Sequence, residues 1–254
     1  SHLNIMGGTH ATASREFLLP NAFNAKHTKM LKDAVNIPVF IGHNIFSPED
    51  AEKMLAEGNA DFVALGRSQL AEPAWAKKAK EGRASDIKPC INCLIGCIDR
   101  GMLSHTPIHC TVNPSLYRFE CKPVEKAETR KQVAVVGAGP AGCEAALTAS
   151  KRGHQVTIYE KRCIGGAMIE ASKPENKANI KRLIHYYEDH IMHDPNITLV
   201  KEEVEYETLV HSGYDAVIIA VGGKTRILNV PGIEKNSVIY ASDYLNGSTA
   251  VTGN

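Results

Sequence analysis

The chain has 254 residues, a net charge of +1, 43% hydrophobic and 22% charged side chains. That composition can bury a core, excludes a disordered tail and gives no electrostatic case for nucleic acid. No segment approaches the ~18 consecutive apolar residues of a membrane span, and no apolar secretory signal is read at the start, so a cytoplasmic location and no membrane partner are expected.

In chain order, residues 3–6 and 37–41 are short apolar runs, each followed by glycine. Ser47-Pro48-Glu49-Asp50 carries helix-start signals: a capping side chain, a proline suited to the first helical position, and acids at the positive end of the dipole. Ala51, Met54 and Leu55 supply an apolar stripe, and Gly58 can end the helix. Residues 61–65 read as a buried-type strand ending at Gly66-Arg67, and 73–81 as a helix. Strand and helix thus alternate in parallel β/α units. Residues 86–122 show little periodicity and suggest a ligand-pinned loop region, followed by a polar linker.

Periodicity returns with a strand at 132–136, a helix over 139–152 closed by Gly153, and a strand at 155–159. A helix over 178–191 and strands at 196–200 and 215–221 follow, the last expected to be buried.

Two motifs carry chemistry. Cys90, Cys93, Cys97 and Cys110 read C-x2-C-x3-C-x12-C. The other cysteines of the seven read as core or surface thiols. Four thiolates with no sign of secretion favour a metal site over a disulfide scaffold. The spacing leans toward a cubane iron–sulfur cluster and leaves zinc open. Gly137-Ala-Gly139-Pro140-Ala141-Gly142 fits G-x-G-x-x-G. It follows a strand and opens a helix, and Glu160 ends the next strand, where an acid suits a ribose hydroxyl. Further back, backbone N–H groups at Gly42-His43 and Gly66-Arg67 follow successive strands and suit a phosphate, with ordinary βα turns as the alternative. His10 follows Gly7-Gly8-Thr9 at a strand end.

Residues 37–42, 60–67 and 71–73 resemble the last strands of an old-yellow-enzyme-type barrel. The cysteine set with Val112-Asn113-Pro114, and the run 133–142, resemble the iron–sulfur and FAD segments of the multidomain NADH:flavin oxidoreductases. The loops at 163–166 and 215–223 resemble those of flavoprotein disulfide-reductase-like FAD domains. The resemblance implies an α/β fold in three parts: the C-terminal part of a TIM (β/α)8 barrel over 1–85, an iron–sulfur segment over 86–122, and a Rossmann-like FAD domain over 123–254. It implies that Gly42, His43, Gly66 and Arg67 hold FMN. Cys90, Cys93, Cys97 and Cys110 would ligate a [4Fe-4S] cluster. FAD contacts would come from Gly137, Gly139, Pro140, Ala141, Gly142, Glu160, Lys161, Gly165, Gly166, Ala220 and Gly222. His10 would be the active-site histidine.

The implied activity is NAD(P)H-driven reduction of an activated C=C bond in a small unsaturated acid or thioester, through FAD, the cluster and FMN. Two alternatives stand beside it: an amine dehydrogenase of the trimethylamine dehydrogenase type, and a non-catalytic zinc-pinned nucleotide-binding module. By the same resemblance the chain reads as a fragment, inactive alone, whose partners are the remaining parts of its own polypeptide and a second copy of itself.

Overall fold

The computed structural model describes residues 3–5, 19–116 and 124–251; His10 and Cys121 lie outside them. Two units are present, Ser1–Cys121 and Lys122–Asn254.

In the first unit, β1 (Leu3–Ile5), β2 (Val39–Ile41) and β3 (Phe62–Val63) form a parallel sheet in that order. Parallel strands need crossover connections, and helices α1 (Ala25–Ala34) and α2 (Pro48–Ala56) lie on either side of β2 in sequence. Ile41, Ile45, Met54 and Ala60 form the core, with Ala51, Val63 and Leu65 packed against it. Asp61 ties the strand ends together: its carboxylate accepts from the Val39 N–H at 2.9 Å and from the Lys32 ammonium. These two bonds, Lys32 first, hold its carboxyl below the usual range.

The start of α2 follows the sequence signals. Ser47 Oγ accepts from Asp50 N at 3.1 Å, Pro48 opens the helix, and Gly58 follows its end with φ +65°. Ser47→Ala is expected to lower the stability of this unit by about 1 kcal/mol. Urea unfolding followed by Trp75, the chain's single tryptophan, which is buried in this unit, measures it.

Three expectations for this unit need correction. The 61–65 strand shortens to Phe62–Val63, and Phe62 is 50% exposed. Alternation puts Val63 on the core while Phe62 stacks on Phe40 at 4.7 Å between ring centroids. A short helix that was not expected, α3 (Arg67–Ala71), precedes the one expected over 73–81, which narrows to α4 (Trp75–Lys80). Pro73 separates them, and Glu72 before it is extended. Finally, the irregular 86–122 region contains a π-helical segment, Ile95–Leu103. Its i→i+5 bonds run from Asp99 N to Leu94 O and from Ser104 N to Asp99 O.

The second unit contains β4 (Gln132–Val136), α5 (Pro140–Lys151), β5 (Gln155–Tyr159), α6 (Met168–Ala171), α7 (Ala178–Met192), β6 (Ile197–Val200), α8 (Tyr206–His211), β7 (Ala216–Ile219) and α9 (Ala241–Asn246). Its parallel sheet has the order β6-β5-β4-β7. The chain therefore builds outward from β4 and then returns to β4's other side. Such a reversal opens a crevice at the carboxyl ends of β4 and β7. Leu183, Ile184, Tyr187 and Ile191 bury one face of α7, as their helical spacing predicts. The strand expected to be buried, β7, is exposed at every position, Ile219 at 65%. It is the outer strand beside β4, and an apolar run does not specify whether anything packs on it.

Candidate cofactor sites

In the first unit, Cys90, Cys93, Cys97 and Cys110 all line one cavity, together with Arg67 and His109. None is in a disulfide. Local backbone geometry turns them inward. Asn92 and Leu94 flank Cys93 with φ of +55° and +61°, which reverses the chain twice within the C-x2-C-x3-C run. The π-helical segment then brings Gly96 against His109. His109 N donates to Gly96 O at 2.8 Å, and a Cβ on Gly96 would lie 2.4 Å from His109 O. Each of these residues neighbours a cysteine, so their contact sets Cys97 beside Cys110.

Four free thiol sulfurs lining one cavity are the soft donor set that an iron–sulfur cluster takes, and zinc takes the same donors. Burial pushes the Cys90 thiol up to about 12, opposed by the Asn92 N–H and the Arg67 charge, and burial also raises Cys97. A buried sulfur becomes a thiolate only when positive charge arrives beside it, which a metal centre supplies.

Arg67 joins this cavity to the strand ends. Its guanidinium donates to Asn44 Oδ1 at 2.8 Å and to Asn92 Oδ1, and it lies 5.6 Å from the Phe46 ring centroid. Asn44 follows Gly42-His43 beyond β2, and Gly66-Arg67 follows β3. The loops expected to grip a phosphate are thus brought together through Arg67. Ser68 Oγ donates to Ile45 O at 2.7 Å and pins the same pair of loops. On the other side, Asn113 Nδ2 donates to Leu70 O at 2.9 Å and anchors the segment after Cys110 to α3. Sequence reasoning missed Asn44, Asn92 and Thr111 as site residues. For Asn92 a signal existed: asparagine tolerates a left-handed turn inside a C-x2-C pair.

In the second unit, the glycine loop closes on the crevice between β4 and β7. Gly137 has φ +98°, and a Cβ there would meet Ala220 O at 2.5 Å. A Cβ on Gly142 would meet Gly137 O at 1.9 Å, so α5 packs directly on the end of β4. Gly139 is the N-cap of α5, with Pro140 at its first position and Ala141 next. The free N–H groups there face the loop mouth, as a pyrophosphate requires. Gly166 approaches the same loop: a Cβ on it would lie 2.9 Å from Gly139 Cα. The Gly165 N–H donates to Ala138 O at 2.8 Å.

Glu160 stands at this mouth, its Oε2 accepting from Ala138 N and its Oε1 from Arg162 N, each at 2.8 Å. The structure therefore brings Gly137, Gly139, Gly142, Glu160, Gly165, Gly166 and Ala220 together. Lys161 pairs with Glu203 at 2.7 Å, and a Cβ on Gly222 would meet nothing within 4 Å.

A barrel-type parallel β/α unit with a four-cysteine cavity, joined in one chain to a Rossmann-type unit with a complete glycine loop, defines the class of multidomain flavin oxidoreductases. Residues 9–86 match the model of the NADH:flavin oxidoreductase / NADH oxidase family, and residues 131–250 that of pyridine nucleotide-disulphide oxidoreductase. The chain is 42% identical to an NADH oxidase of Thermoanaerobacter brockii, over 87% of this chain and 34% of that protein. It is 32% identical to a cinnamate reductase of Clostridium sporogenes, over 86% of this chain and 33% of that protein. A solved 2-naphthoyl-CoA reductase complex superposes with a TM-score of 0.85 at 30% identity, over 93% of this chain and 36% of that one. The chain belongs to the NADH:flavin oxidoreductase / NADH oxidase family, in the form that carries a nucleotide-binding unit after the barrel. It spans about a third of the length of these relatives. Among the described residues no helix is long and apolar enough to cross a membrane.

Proposed function

We propose that the chain is part of an NAD(P)H-dependent flavin and iron–sulfur oxidoreductase that reduces an activated C=C bond in a small unsaturated acid or thioester. The observation that carries this reading is the four-cysteine cavity, linked through Arg67 and Asn44 to the strand-end loops of the same unit. When bound, FAD, a [4Fe-4S] cluster and FMN supply hydride acceptance, single-electron transfer and hydride delivery to the substrate.

The chain's own residues hold these groups. Gly137, Gly139 and Gly142 clear a path for the FAD pyrophosphate to the start of α5, and Glu160 waits at the ribose position. Cys90, Cys93, Cys97 and Cys110 would hold the cluster. Gly42, His43, Gly66 and Arg67 offer N–H groups and positive charge to the FMN phosphate. His10 is proposed as the group that polarises or protonates substrate. The boundaries that go with this reading are a barrel portion over 1–85, the cluster segment over 86–122 and the FAD unit over 123–254. The location that goes with it is the cytoplasm. The names of the cinnamate reductase and the 2-naphthoyl-CoA reductase support the substrate class.

Anaerobic purification of the full-length protein tests the reading. The expected result is iron and acid-labile sulfide in equal amounts, two flavins, and NAD(P)H oxidation that depends on an added enoate or enoyl thioester. Zinc without sulfide would overturn it. Amine-driven dye reduction without NAD(P)H oxidation would move the protein to the amine dehydrogenases.

A further inference from the structure

Thr111 Oγ1 lies 3.1 Å from Cys93 Sγ. In the free thiol either atom can donate. Once Cys93 is a thiolate ligand its sulfur carries no proton, and the hydroxyl must be the donor. We propose that Thr111, which is not itself a ligand, sets the reduction potential of the cluster by donating this hydrogen bond to Cys93. The proposal rests on the iron–sulfur reading above.

Taking up one electron adds one negative charge to the cluster. Donors on the ligand sulfurs stabilise that charge and raise the potential. A second donor to sulfur is the Asn92 N–H, 3.4 Å from Cys90 Sγ, a backbone group that substitution cannot remove. The Thr111 hydroxyl can be removed without changing the shape of the side chain. Thr111 is also exposed, so valine there disturbs little packing. The residue therefore acts as a positioning and tuning group whose effect separates from stability.

The experiment is an EPR-monitored potentiometric measurement on the full-length holoprotein, with iron and sulfide assayed on each sample. Thr111→Val is expected to keep its iron and sulfide and to show a lower midpoint potential than the parent. Thr111→Ser, which restores the hydroxyl, is expected to bring the potential back. If Thr111→Val loses iron, Thr111→Ala, smaller than the parent residue, makes the same comparison. An unchanged potential in a fully loaded hydroxyl-free variant would sink the proposal and leave the cluster reading standing. A parent protein without iron and sulfide would remove both.

Discussion

Gly142→Ala is expected to strip the flavin from the second unit. The new Cβ would lie 1.9 Å from Gly137 O and 3.3 Å from the Ala220 side chain. The first of these is backbone at the tightest turn of the loop, so no side chain can rotate away. Relief requires α5 to move off the ends of β4 and β7, and α5 carries the N–H groups that face a pyrophosphate. Overpacking of this kind costs about 3 kcal/mol. If the bound state bears that cost, flavin binding weakens by roughly a hundredfold. Flavin released by denaturing the purified variant and resolved by chromatography reads the outcome: FAD should be lost while iron and FMN remain. Full FAD occupancy would mean that the helix does not need this contact.

Gly96→Ala is expected to do the converse. A Cβ there would stand 2.4 Å from His109 O and 2.5 Å from His109 Nδ1. The ring can turn, but the carbonyl cannot, and it sits one residue before Cys110. Opening this contact spreads Cys97 from Cys110 and breaks the four-sulfur arrangement. Iron and sulfide should fall below a tenth of the parent's, consistent with about 1.4 kcal/mol or more of lost binding. FAD should be retained, because the affected contact lies within the first unit. Loss of both cofactors would show instead that the cluster supports the second unit. Together the two variants assign each cofactor to its unit.

Much of this is legible in the sequence. The strand–glycine loop–helix run of 132–152 depends on near neighbours: a strand of β-branched residues, glycines where backbones touch, and a proline at the helix start. The cysteine spacing likewise declared four soft ligands in one stretch. Capping of α2 by Ser47 was a local event three residues long. Patterns of this range survive in the sequence because their partners lie within a turn or two.

What the sequence by itself determined is the identity of the parts: a β/α portion, a thiolate set, and a nucleotide loop closed by an acid. Only the tertiary structure decided how they are wired. Arg67 could be read as a phosphate cation, yet its bonds to Asn92 and Asn44 span 25 and 23 residues. The Thr111–Cys93 contact spans 18, and the approach of Gly96 to His109 depends on a π-helical turn that has no simple periodic signature. The exposure of β7 was equally hidden, because an apolar strand looks the same whether or not a second layer covers it. Long-range partners are set by chain closure and by the fit of whole elements, and that information is distributed across the chain rather than written in any one window.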